Sequence, residues 1–389
     1  MKAWIGSSVI ALAACSTSGT QVPMGSAPQT QNAVYGAVKE MVIYSFPGSK
    51  QQLNPNPGNL LYYNGTLYGT TLQGGANSDG TIFAVTPSGS QKVLHTFNGA
   101  QDAFPGTTLA HVDGALHGTI AFGGTKDDGA VFTITTSGSF SHDYDFKGTP
   151  HDGAHPVAGV IDSGDALYGT TKYGGANDFG TVFRVTPLGK KKIIYGFGPG
   201  TDGADPFSCV IDVNGTLYGT TNFGGTNNLG TVFAVSAKSG QERILHSFAG
   251  GSDGASPLFA NLTFFEGAIY GTTPSGGAHN LGVVFRVTPS GTETVVHSFG
   301  GTPDGAKPEG GLVAFDGKLY GTTSAGGANH FGTVFSVAES GTERVVYSFG
   351  KRPDGQNPSS GLTRVAGTLY GTTYAGGAHG EGTVFSLVP

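Results

Sequence analysis

Charge is what this sequence has least of. Lysine, arginine, aspartate and glutamate make up 12% of its 389 residues, about half the usual ~25%, and the net charge is −6. That balance excludes a nucleic-acid partner, because gripping phosphates takes a basic face. Tryptophan is all but missing: the one copy, Trp4, stands at the start of the chain. No 3.6-residue periodicity is visible, which sets aside a helical solenoid. No H-E-x-x-H or Cys–His pair marks a nucleophile or a metalloprotease. What the chain has in excess is glycine, 68 copies with 20 prolines, against about 7% and 5% in ordinary proteins. The glycines recur with a period, so the composition reads as order rather than low complexity. The 25 Phe and 15 Tyr supply a sizeable core.

The apolar run at residues 3–14 follows Lys2. It is too short to span a bilayer, which needs about 20 residues, and has the length of a signal-peptide core. It ends in Leu12-Ala13-Ala14-Cys15, which resembles the lipobox of bacterial lipoproteins. That resemblance implies cleavage before Cys15 and lipidation there, with several acyl chains anchoring the protein to a membrane. The alternative is an ordinary secretory peptide with an incidental cysteine. Cysteine arithmetic favours lipid: if Cys15 is acylated, Cys209 has no partner for an intrachain disulfide. Ser16 at the next position resembles lipoproteins sent to the outer membrane, so the expected location is the cell envelope, anchored or secreted. The expected organisation is a signal peptide at 1–14, a flexible Ser/Thr/Gln/Pro/Gly tether at 15–39, and one repeat domain at 40–389.

The repeat is Leu-Tyr-Gly-Thr-Thr, whose glycine returns at Gly69, Gly118, Gly169, Gly219, Gly271, Gly321 and Gly371. Gly-Thr-Val-Phe or a near variant follows each, as at 332–335, and then an alternating run ending in Phe349 or its counterpart. In the sixth unit strands are expected at 312–315, 318–323, 332–337 and 343–349. Asp316-Gly317 forms a hairpin turn whose central residues want positive φ. Four short strands, here called a to d, per ~50 residues make a propeller blade. The chain stops after the seventh strand c, and the missing strand d stands at its start as residues 41–46. The expected fold is therefore all-β: a seven-bladed β-propeller of four-stranded blades, closed by the N-terminal strand, with no open sheet edge. A monomer is expected.

The LYGTT…GG…GTVF units resemble those of the GloVer, or choice-of-anchor, tandem-repeat proteins over residues 58–389. The strand order also resembles kelch propellers, without the Trp that kelch repeats use. The GloVer resemblance implies a secreted or surface propeller of unassigned activity, often anchored at the C-terminus. This chain differs in carrying its anchor signal at Cys15.

The longer d–a and b–c loops share one face, where binding residues are expected. The d–a loops carry Asp-Gly-Ala-x-Pro or a variant, with Asp102, Asp152, Asp202, Asp253, Asp304 and Asp354. Uniform repetition favours turn chemistry over a cation-binding ring. His95, His246 and His297 alternate with Tyr at one strand-d position and read as structural. Departures from the repeat are the better guide. Glu381, Asp79 and Asp128 replace an apolar residue in three adjacent blades, and Phe122, Tyr173 and Phe223 form an aromatic arc. Histidines 111, 117, 142, 151 and 155 crowd blade 2 and its exit. The expected ligand contacts are Asp79, Phe122, Asp128, His151, His155 and Tyr173, suited to sugar stacking. His151 and His155 are weak metal candidates. No cofactor is implied, and a glycan or protein ligand is expected of a non-enzymatic binding or scaffold module. A metal-dependent lyase or hydrolase using Asp79, Asp128, His151 and His155, and a structural envelope protein, are the alternatives.

Overall fold

The computed structural model describes residues 39–48, 53–56, 58–99, 102–164, 166–186, 189–258 and 261–389. The signal peptide, Cys15 and all but the last residue of the expected tether lie outside them. Seven antiparallel sheets, each built from strands a-b-c-d in order, form the blades. The sixth comprises Val313–Phe315, Lys318–Thr323, Thr333–Val337 and Glu343–Ser348, within a residue of the expected bounds. Its a–b turn has Asp316 at φ 49° and Gly317 at φ 68°, the paired left-handed conformation of a two-residue hairpin.

Closure runs as the sequence implies. Lys39–Ser45 pairs antiparallel with Thr383–Val388 and supplies strand d of the seventh blade. The strand starts at Lys39, at the last residue of the expected tether. Phe46 N–H then donates to the Gly382 carbonyl at 3.1 Å. Blade 7 is clipped to blade 1 by the Thr363 hydroxyl donating to the Leu60 carbonyl.

The repeated motifs are explained by contacts between blades. The seven strand-d phenylalanines, Phe46 to Phe349, are all fully buried. Most sit edge-on against the strand-c Phe of the next blade, as Phe46–Phe83 at 5.3 Å and Phe349–Phe385 at 5.1 Å. Edge-to-face geometry lets each ring's positive rim meet its neighbour's negative face. The glycine of LYGTT lies under the strand-c Phe of its own blade. A Cβ at Gly321 would stand 2.7 Å from the Phe335 ring and 2.8 Å from Leu312, so only glycine fits. The first Thr donates to a carbonyl of the next blade, as Thr70 to Gly106 at 3.0 Å and Thr170 to Ser208 at 2.9 Å.

One element goes beyond the expected four strands. The Gly-Ala of each later d–a loop, Gly355-Gln356 in blade 7, pairs with two residues of the b–c loop, as Gly153–Ala154 with Tyr173–Gly174. In blades 1 and 2 the same ribbon fuses with the main sheet, through Leu53–Pro55 and Asp102–Pro105. The ribbon ties the two long loops of a blade together on one face. A second departure concerns Cys209. It is buried between blades 3 and 4 and disulfide-bonded, contrary to the expectation of a lone thiol.

Candidate ligand-binding surface on the loop face

The loop-face aspartates are turn residues with a further duty. Asp202 accepts from the Gly198 and Gly203 amides, both at 2.7 Å, and from the Tyr195 hydroxyl at 2.8 Å. Asp253 does the same with Ala249, Gly254 and the ring of His246, and Asp304 with Gly300, Gly305 and His297. The strand-d position that alternates between Tyr and His therefore needs a polar-tipped ring that can donate to its loop aspartate. Burial, and then the bonded aspartate, push the Tyr195 and Tyr347 hydroxyls far up. Both stay protonated donors.

The residue x of Asp-Gly-Ala-x-Pro carries the site's signature. It is Asn54, Phe104, His155, Asp205, Ser256, Lys307 and Asn357 around the ring, all at φ between 49° and 56°. In six of the seven its amide is pinned to the carbonyl just before the Gly-Thr-Val-Phe, or its variant, of the preceding blade, as Phe104 to Asp79 at 3.0 Å and His155 to Asp128 at 2.8 Å. A left-handed non-glycine residue costs about 1–2 kcal/mol. A purely structural repeat would place glycine there, as it does at many other loop positions. Instead the backbone is uniform and the side chains are chemically unlike, the pattern of a scaffold that presents variable contacts.

On blades 2 to 4 these side chains join the aromatic arc. Phe104 meets Phe122 edge-on at 5.7 Å, Phe122 lies 4.6 Å from the His155 ring, and His155 meets Tyr173 edge-on at 5.7 Å. The Lys172 ammonium stands over the rings of Tyr173 at 4.6 Å and Phe207 at 4.8 Å. Beneath them Ala121, Val157 and Phe207 pack with Leu72, Phe104 and Leu258, from blades 1 to 5, as an apolar floor. Phe122 and Phe223 are each 42% exposed, although a ring that large is normally covered. His155 Nδ1 lies 2.8 Å from the Ala121 carbonyl. A carbonyl only accepts, so Nδ1 carries a proton.

The structure thus brings together Phe122, His155 and Tyr173 from the expected set. Asp79 and Asp128 lend their carbonyls to this frame, but their carboxylates turn back over Gly99 and Gly148 of the adjoining d–a loops. Burial pushes the Asp128 carboxyl up, while His155 draws it down. His151 stands exposed beside the tip of its loop. Among the described residues, the groups of three or more His, Cys, Asp and Glu that could share a metal ion include neither His151 nor His155. The apparent histidine cluster of blade 2 disperses. His111 stacks on Tyr63 at 3.7 Å, His117 bonds Thr133 and Asp143, and His142 bridges Asp102 and Asp145. The bond to Asp102 raises the His142 pKa against the effect of burial. Phe104, Lys172 and Phe207 were missed from the sequence. Variability at x within a uniform motif is the signal that finds Phe104.

Comparisons with known proteins agree on the fold. The structure resembles an oligogalacturonate lyase from Vibrio parahaemolyticus (9% identity, TM-score 0.50), covering 90% of this chain and 97% of that one. A puromycin-hydrolyzing peptidase of Mycobacterium tuberculosis matches at 9% identity and TM-score 0.53, over 82% of this chain and 50% of that one. A protein of unknown function from Bacteroides thetaiotaomicron matches at 13% identity and TM-score 0.43, over 91% of this chain and 98% of that one. At such identities the likeness is one of fold alone. No curated protein matches the chain. The Gloeobacter/Verrucomicrobia repeat model matches residues 25–233 and 189–385, and the chain belongs to that family.

Proposed function

We propose that the protein is a non-enzymatic, envelope-anchored propeller whose loop face binds carbohydrate over blades 2 to 4. The observation that carries this reading is the contiguous aromatic arc of Phe104, Phe122, His155 and Tyr173, half-buried except at the exposed Phe122. Sugar rings present C–H faces that pack on aromatic faces, while their hydroxyls seek polar groups at the rim. Here the polar rim is the Lys172 ammonium and the His155 ring nitrogen. The preformed loop frame lowers the ordering cost on binding. The test is a glycan array with the full chain, followed by titration of any hit against Phe122→Ala and Tyr173→Ala. Each substitution is expected to weaken binding by about 1–3 kcal/mol, as for aromatic anchors elsewhere. A hit that ignores both substitutions would place the ligand elsewhere.

The anchoring part of the proposal rests on residues 3–14 and Cys15. The chain has only two cysteines, so the lipidated, anchored form and the form in which Cys209 is disulfide-bonded are alternatives, and intact mass tells them apart.

A further inference from the structure

At the junctions from blades 2–3 to 6–7, three positions converge. They are the Tyr or His of strand d, the Asp of the following loop, and the first residue of the next blade's strand d. Between blades 2 and 3 the third is Lys191, whose ammonium bonds Asp152 at 2.5 Å and lies over the Tyr144 ring. Between blades 4 and 5 and between 5 and 6 it is Glu293 and Glu343, facing Asp253 and Asp304. A carboxylate there replaces a cation opposite an aspartate. Both junctions also carry His in place of Tyr, so each gathers one imidazole and two carboxylates.

We propose that these two junctions are a pair of equivalent sites for a divalent first-row transition ion, ligated by His246, Asp253 and Glu293 in one and by His297, Asp304 and Glu343 in the other. Within each group one ligand atom per residue lies within 4.8 Å of the others. The His–Asp edges are 3.0 and 3.2 Å. Ligands about 2.0–2.2 Å from a tetrahedral zinc stand roughly 3.3 Å apart, so two corners are in place and the Glu closes the third by a small shift. Among the described residues the Oε1 atoms of Glu293 and Glu343 are buried without a hydrogen-bond partner, as are those of Glu40 and Glu242 at the Tyr junctions, and only at the two His junctions does that acceptor meet an imidazole. The loop amides on Asp253 and Asp304 hold those carboxylates in orientation, as outer-shell bonds do in metal centres. Both histidine side chains are 19% exposed, so an ion can reach them. The Glu-bearing junctions at Tyr195 and Tyr347 lack the imidazole. Their hydroxyls donate to Asp202 and Asp354, so they are not sites.

The variants His246→Tyr and His297→Tyr test the proposal with little risk to the fold, because Tyr stands at this position in other blades of the same protein. The tag-free full chain is stripped with chelator, dialysed against zinc and counted by elemental analysis. Wild type is expected to hold two zinc ions, each single variant one, and the double variant none. Zinc is also expected to raise the melting temperature of wild type and not of the double variant. Glu293→Gln with Glu343→Gln repeats the test without touching the rings. No zinc on wild type, or an undiminished count in the double variants, overturns the proposal. Carbohydrate binding at Phe122 and Tyr173 is independent of either result.

Discussion

Replacing Phe46 by alanine tests whether the first strand of the chain completes the last blade. Phe46 is fully buried, 5.2 Å from the Tyr44 ring and 5.3 Å from Phe83. It packs with Leu60, Leu67, Val85, Tyr370 and Val384, so it touches both ends of the chain. Truncating a buried Phe costs about 3–5 kcal/mol. The internal control is Phe349→Ala, whose ring is equally buried and has its own edge-on partner, Phe385, at 5.1 Å. Phe349 is held in mid-chain, whereas Phe46 belongs to a strand whose docking is what is in question. Urea unfolding followed by circular dichroism should give both variants the same loss, about 3–5 kcal/mol. If Phe349→Ala shows that loss and Phe46→Ala shows almost none, the N-terminal strand is not docked and the ring is not closed this way.

Gly321→Ala forces a Cβ to 2.7 Å from the Phe335 ring, and overpacking of that kind should cost about 1–3 kcal/mol in the same assay. Burial, and then Asp354 and Asp202 respectively, push Glu40 and Glu242 from an ordinary 4.5 up to about 7. The folded state therefore keeps protons that the unfolded chain releases, and stability falls as pH rises through that window. The melting temperature should drop between pH 5 and pH 8, and Glu40→Gln with Glu242→Gln should flatten the profile. Cys15→Ser should release the protein from membranes or halt its processing. A soluble wild-type chain whose intact mass shows a disulfide and no lipid would refute the anchor.

Periodicity made the blade count, the hairpin turns and the circular closure legible. Asp316-Gly317 and the missing seventh strand d can be read directly, because local turn chemistry and repeat length do not depend on distant contacts. The alternation of Tyr with His was legible as structural. Its cause was not, because the aspartate and the Glu or Lys that complete the junction come from another loop and the next blade. The same limit misled the reading of His117 and His142, which crowd in sequence and part in space because neighbouring strands face different layers. Phe122, His155 and Tyr173 could be found from broken symmetry. Lys172 and Phe207 could not, since their role comes from stacking across blades 3 and 4.

The most direct test of the loop-face account is a crystal structure of the full chain with a bound oligosaccharide selected on the array. The account predicts a sugar ring stacked on Phe122 or Tyr173, with hydroxyls reaching Lys172 and His155. Density on the tight-turn face, or over blades 5 and 6 near His279 and His330, would contradict it.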